Sequence, residues 1–398
     1  MTLIPRRLAS VDAFRALTML LMIFVNDLVS ITNAPRWMLH AEEGVDGMGL
    51  ADVVFPAFLF IVGLSVPFAV DGRLSRGESK WKVLWHIVLR SFALLCMGFF
   101  VVNYEEYNRA FGYMPRYWWL LWITTAFFLV WLDYPKAMAG WLVWSLRGIG
   151  IALLGYAVST YHGGVAGHEI GMRTHWYGIL GLIGWCYLIC GCLYLWIGDR
   201  PQMLAIIMGI FLAICVVDKA HGLNWMRPMR QFVWIVGSGS LPMVTMAGLV
   251  AALVYRHGVG KGEAVRSLRL LLGLAAVMLV VGFVFRPFWG ISKISSTPSW
   301  VLICSAISLA VFALLAWISD IRGRDGWYKV IRPAGTSTLT CYLLTYLHFA
   351  IAHLLGDKWR IPEVLRTGNI GVLKSLVYSF LIVFITGWLE KRKFRLAI

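Results

Sequence analysis

The chain has 398 residues, 60% hydrophobic and 14% charged, with a mean hydropathy of +0.74 and a formal net charge of +16. Those values exclude an ordinary soluble protein of this length. The basic balance does not imply nucleic acid, because Lys and Arg gather in short loops between apolar runs. Repeated apolar runs of about 20 residues match a bilayer core, and continuous runs rather than alternation select helices over a barrel.

The expected class is an all-α polytopic membrane protein, one bundle of about twelve (10–12) transmembrane helices forming a single domain over 1–398. In chain order the expected spans are 8–30, 50–70, 82–102, 115–132, 139–159, 175–197, 202–217, 236–255, 267–285, 299–319, 333–355 and 369–389. The first run is long, contains Asp12 and Arg15, and lacks a small-residue cleavage site, so it reads as a retained helix rather than a cleaved leader. Only GDRPQ separates 175–197 from 202–217, which predicts a tight helical hairpin over 175–217, a possible addition to the bundle.

Loop charge gives the orientation. Arg6 and Arg7, the loop with Arg73, Arg76, Lys80 and Lys82, that with Arg256, Lys261, Arg266 and Arg269, that with Arg322, Arg324, Lys329 and Arg332, and the EKRKFRLAI tail share one side if there are twelve spans. That side is expected to be cytoplasmic, with both termini, and the loop of His40 to be periplasmic. The segment with Lys219, Arg227 and Arg230 is the exception. The seven cysteines all lie in apolar runs and make neither a disulfide framework nor a zinc pattern, so no metal is expected.

Polar groups inside membrane helices are costly and point to function. On a helical projection Asp12, Arg15 and Asn26 fall within roughly 60°, with Met19 on the same stripe and about 21 Å between Asp12 and Asn26. This suits a helix lining a passage; an Asp12–Arg15 pair with an interfacial Asn26 explains the same residues without one. His40 follows that helix and is ringed by Glu42, Glu43 and Asp46; an imidazole there serves as a general base, an acyl carrier or a plain loop residue. Asp52 opens the second span, where a carboxylate also complements the helix dipole. Arg90 and Asn103 stand near opposite ends of the third span, Arg90 positioned to meet a phosphate or to snorkel. GVGKGE (258–263) is not a Walker loop, and His348 and His353 diverge by about 140° on their helix, too far to share a metal.

The strings SVDAFRALTMLLMIFVND (10–27), WMLH (37–40), GLADVVFPAFLFIVGLS (49–65) and LRSFALLCMGFFVVN (89–103) follow one another closely. Together they resemble the heparan-α-glucosaminide N-acetyltransferase family of the transmembrane acyltransferase superfamily, as a bacterial homologue would. Weaker echoes are GSLPMVTMAGLVAALVYR (239–256) and PAGTSTLTCYLLTYLHF (333–349), while YMPRYWWLLWITTAFF stands where the family has a PGVLQR-like string. The resemblance implies an enzyme that takes acetyl-CoA from the cytoplasmic side and passes the acetyl group across the membrane to an amino sugar or other glycan. It implies His40 and Asn26 as the catalytic residues, Asn26 to bond the thioester carbonyl or hold the imidazole, with Asp12 and Asp52 in support. Arg15, Arg90 and Asn103 would be the acetyl-CoA-binding residues. An inner-membrane location, lipid contacts and a possible homodimer go with it. From another class, a transporter or flippase of a sugar or small anion also fits twelve helices with polar stripes, although no inverted repeat is visible.

Overall fold

The computed structural model describes residues 8–108, 114–165, 168–174, 176–229, 238–356 and 361–398. Arg6, Arg7, Arg230 and the side chain of Arg227 therefore lie outside the described residues. The helices are α1 (Ala9–Leu28), α2 (Leu50–Leu74), α3 (Lys80–Glu105), α4 (Arg116–Trp131), α5 (Gly140–Ser159), α6 (Gly178–Ile197), α7 (Pro201–Lys219), α8 (Ser240–Gly260), α9 (Ala264–Trp289) and α10 (Pro298–Ala316). They continue with the short α11 (Arg332–Thr336), then α12 (Thr338–Leu355) and α13 (Gly368–Lys391). Strands β1 (Gly163–Val165) and β2 (His168–Ile170) form a small antiparallel hairpin between α5 and α6. Eleven of the described helices are long and apolar enough to cross a membrane, with α10 carried to Ile321 by one π-type turn. The apolar α4 is shorter, at 16 residues. The chain is an integral membrane protein of the all-α, multi-pass class.

α1 runs through the middle, against α2, α10, α11, α12 and α13. α2 packs against α8 at very close range: a Cβ on Gly63 would collide with the Thr245 carbonyl, and one on Gly248 with the Phe60 carbonyl. Lipid offers no hydrophobic incentive for helices to pair, so such small-residue contacts hold them by backbone packing. The rims of α5, α7 and α9 expose Ile151, Ile206 and Val280, as expected of side chains that face acyl chains. Both described termini lie at one end of the bundle. Leu132 bridges to Leu396, Arg395 reaches Asp133 at 3.0 Å, and Leu8 and Ile398 line a common cavity.

Several boundaries differ from the sequence reading. The span expected over 333–355 is broken at Ser337 (φ −124°, ψ 46°) into α11 and α12. Gly335 lets α11 lie directly on α1, where a Cβ would stand 3.0 Å from the Asp12 carbonyl. α6 and α7 are joined by a short turn, with Pro201 starting α7, but they are not a self-packed hairpin. α6 packs on α3 and α2, while α7 packs on α8 and touches α6 only slightly. α7 also runs longer than 202–217, at 19 residues. Arg256, counted among the loop cations, is buried at 8% exposure. Its guanidinium pairs with Asp71 and, at 2.7 Å, with Asp199, and receives further support from the Tyr194 hydroxyl. It thus clamps the ends of α2 and α8 to the α6–α7 turn.

Candidate functional site

The first N–H groups of a helix have no partner inside it. In α2, Asp52 supplies one: its Oδ2 accepts from Gly49 N at 3.0 Å and also from Ala41 N at 2.9 Å. The other oxygen, Oδ1, lies 2.7 Å from His40 Nδ1. Asp52 is 1% exposed, whereas the His40 side chain is 39% exposed. The carbonyl of Asp52 accepts from Trp300 Nε1 at 3.1 Å, so α10 fixes the first turn of α2. A carboxylate that takes two backbone donors is an ionised acceptor, and the network assigns the imidazole proton to Nδ1. Nε2 then carries the lone pair. Asp52 thus both caps α2 and contacts the His40 ring.

A third group joins them. Lys293, in the α9–α10 loop, places Nζ 3.2 Å from His40 Nδ1, 3.4 Å from Nε2 and 4.0 Å from Asp52 Oδ1. Burial pulls its ammonium below the usual lysine range, and Asp52 opposes that shift. The loop is held by the His40 segment itself. Asp46 Oδ1 accepts from Ile291 N at 2.7 Å, Asp46 Oδ2 from Arg286 Nε at 2.9 Å, and the Ile291 carbonyl from Gly47 N at 3.0 Å. These bonds, the Ile291 amide foremost, hold the Asp46 carboxyl below its ordinary range. Sequence reasoning missed Lys293. Its only signal was a lone lysine in ISKISSTP, on the side otherwise poor in basic loops.

Below this cluster lies a cavity of about 490 Å³. Asp12, Arg15, Met19 and Met22 of α1 line it, with Phe58, Ile61 and Ser65 of α2, Arg90 of α3, Tyr187 of α6 and the broken α11–α12 junction. The Arg15 guanidinium reaches Asp12 Oδ1 at 3.4 Å and donates to Ser65 Oγ at 2.6 Å. Arg90 lies over the Tyr187 ring at 5.0 Å, and among the described residues its Nε is buried without a hydrogen bond, as is Ser337 Oγ. The helix stripe read from the sequence therefore does line this cavity over Asp12, Arg15 and Met19, and Arg90 faces it from the third span. His40, Asp52 and Asn26 do not line it.

The other candidates separate. Asn26 is exposed at the end of α1 and, among the described residues, makes no hydrogen bond to His40. Asn103 is fully buried away from the cavity. Its Nδ2 donates to Phe99 O at 2.8 Å and Arg173 O at 3.1 Å, and its Oδ1 accepts from Arg173 N at 3.1 Å. That is the geometry of a loop anchor. In GVGKGE the amides of Lys261, Gly262 and Glu263 are bonded back to the carbonyls of His257, Val259 and Gly258, so they finish α8. His348 meets Tyr378 and His353 stacks on Tyr117, so the two do not converge.

Residues 7–221, just over half of the chain, match the family described as "Domain of unknown function (DUF5009)". The chain belongs to the DUF5009 family. This DUF5009 protein is also similar to heparan-alpha-glucosaminide N-acetyltransferase of Homo sapiens, 39% identical over 100 residues, which is 25% of this chain and 14% of that protein. The Mus musculus enzyme of the same name is 41% identical over 97 residues, 24% of this chain and 14% of its own length. The matched stretch thus spans about one seventh of these curated relatives. Within the DUF5009 protein, His40, Asp52 and most of the cavity belong to the family match, while Lys293 lies beyond residue 221. A base held by a buried carboxylate, close to a cation and above a partly basic cavity, is equipped for proton transfer and for acyl chemistry.

Proposed function

We propose that this protein is an acetyltransferase that takes an acetyl group from acetyl-CoA held in the cavity and passes it to an amino sugar or other glycan at the His40 end. The observation that carries the reading is the shared helix: Asp52 orients His40 from the first turn of α2, and Phe58, Ile61 and Ser65 of the same helix line the cavity. Phe58 is about 9 Å along the axis from Asp52 at 1.5 Å per residue. The cavity volume lies in the range of small-molecule sites, roughly 300–1,000 Å³. Its Arg90 Nε and Ser337 Oγ, without a hydrogen bond among the described residues, fit a polyanionic, hydrogen-bonding ligand, as do Arg15 and the N-terminus of α12. The names of the two relatives support the same chemistry.

In this reading Arg15 and Arg90 bind phosphate, and Met19, Met22 and Phe58 contact the pantetheine arm. Acetyl-CoA supplies an activated thioester. His40 Nε2 removes the proton from the acceptor amine or hydroxyl, and Asp52 holds the resulting imidazolium. The acceptor approaches from the exposed edge of His40. The basic end of the bundle would face the cytoplasm, probed by the positive-inside bias, with His40 on the periplasmic side of an inner membrane.

The test uses the purified full chain in nanodiscs with acetyl-CoA and glucosamine, following CoA release with a thiol reagent and the acetylated sugar by mass spectrometry. Turnover by the wild type, lost in His40→Ala while acetyl-CoA still binds, is expected. A wild type that neither binds acetyl-CoA nor releases CoA, but moves labelled sugar or anion into vesicles, would overturn the reading in favour of a transporter.

A further inference from the structure

We infer that Lys293 is a catalytic cation of the His40 site, one that binds the carbonyl oxygen of the acyl donor as negative charge develops on it. The inference rests on the acyl-transfer reading and adds a residue from outside the family match.

The geometry sets this lysine apart from an ordinary loop residue. Its ammonium sits beside the imidazole between the two nitrogens, with Asp52, at 4.0 Å, as its one counter-charge among the described residues. Asp52 Oδ1 is already engaged by His40, and Oδ2 by two amides, so the carboxylate has little left for Lys293. A lysine serving only stability would reach a free carboxylate or water; Glu42 and Glu43 are exposed in the neighbouring His40 loop, and among the described residues neither pairs with it. Instead the α9–α10 loop is anchored on both sides of the lysine. Ile291 bonds to Asp46 and Gly47, and Ser292 N donates to Thr297 Oγ1 at 3.0 Å. The backbone on either side of the lysine is therefore held, and its side chain, 29% exposed, stays accessible to a ligand.

The step balances as follows. The acceptor nitrogen or oxygen attacks the carbonyl carbon of an acyl thioester, forming the new bond. The C=O π pair moves to oxygen, where Lys293 N–H groups bind it, and the acceptor's proton passes to His40 Nε2. Collapse restores the C=O bond and expels the thiolate, which takes the proton from His40. Lys293 stays an ammonium throughout. Fixed donors aimed at developing oxyanions contribute more to rate than to ground-state binding.

Two measurements on the full-length protein test this. The first is steady-state acetyl transfer by Lys293→Met, Lys293→Gln and Lys293→Arg. The uncharged variants are expected to lose roughly 10²–10³ in kcat, the usual cost of one oxyanion donor, with KM for acetyl-CoA little changed and Lys293→Arg partly restored. The second needs no enzymatic activity. Diethyl pyrocarbonate acylates imidazole through the same kind of tetrahedral oxyanion, and peptide mass spectrometry reads the modification of His40. At the plateau of its pH dependence, that reaction is expected to be about tenfold or more slower in Lys293→Met and Lys293→Gln than in the wild type. If His40 reacts as fast or faster in both, Lys293 merely shields the ring and the inference is overturned. Slower His40 acylation in a protein that shows no acetyl transfer would keep the Lys293 role while removing the acetyltransferase reading.

Discussion

Asp52 Oδ1 stands 2.7 Å from His40 Nδ1 while Oδ2 holds the amides of Ala41 and Gly49, so one buried carboxylate both starts α2 and sets the imidazole. Asp52→Asn separates the two jobs. An asparagine oxygen keeps the backbone amides, and its NH₂ then faces Nδ1 and forces the proton onto Nε2. Transfer is expected to fall by about 10²–10⁴, the span of general-base contributions, with acetyl-CoA affinity unchanged. Steady-state rates together with calorimetric binding decide it; an equal loss in binding would mean that Asp52 acts on the cavity and not on His40.

Asn103 gives the opposite expectation. Its buried amide answers both backbone groups of Arg173 and the Phe99 carbonyl, and removing it costs all three hydrogen bonds and leaves a cavity. Asn103→Ala is expected to destabilise the fold by about 1–3 kcal/mol, seen as a lower melting temperature in detergent. Acetyl-CoA affinity at low temperature should match the wild type. A selective loss of that affinity with an unchanged melting temperature would restore Asn103 to the cofactor residues.

The sequence carried the membrane class, the approximate spans and the polar stripe of α1, because burial in lipid leaves long apolar runs and a helix period. It carried His40 and Asp52 as candidates because they lie in one short segment. Lys293 was not legible: it is over 250 residues from His40, and the docking of Asp46 and Gly47 on Ile291 brings them together. Asn103 looked like a cavity residue because an asparagine near a helix end has the same sequence signature whether it binds a ligand or a loop. The break at Ser337 was hidden for a related reason, since α11 is short enough to be absorbed into a continuous apolar run.

Asp46 makes the loop contact pH-dependent. Its carboxyl is held below the ordinary value of 3.8, first by the Ile291 amide and then by Arg286. A lowered carboxyl stabilises the fold above its unfolded value, and that contribution is lost as pH falls through the folded value. Protection of the Ile291 amide is therefore expected to persist to about pH 4 and to fall below it, after correction for intrinsic exchange. Asp46→Ala, which removes the acceptor of the Ile291 amide, should show the reduced protection already at neutral pH, and a slower transfer through a displaced Lys293. Unchanged exchange at Ile291 in that variant would show that Gly47 alone anchors the loop.

Met22 and Phe58 line the cavity, whereas Asp52, farther toward the start of α2, and His40, in the loop before it, do not. A thioester held by Arg15 and Arg90 must therefore pass these two side chains to reach the imidazole. Phe58→Trp adds bulk at that point and leaves the basic end untouched. It is expected to reduce kcat by about 10², the scale of a 1 Å misplacement of reacting groups, while the dissociation constant for CoA changes little. Phe58→Ala should widen the passage, and water that follows the thioester should raise the hydrolysis of acetyl-CoA without acceptor relative to transfer. The two variants are to be compared by CoA release with and without glucosamine. If Phe58→Trp weakens CoA binding as much as it slows turnover, Phe58 belongs to the binding wall and the acyl group reaches His40 by another route.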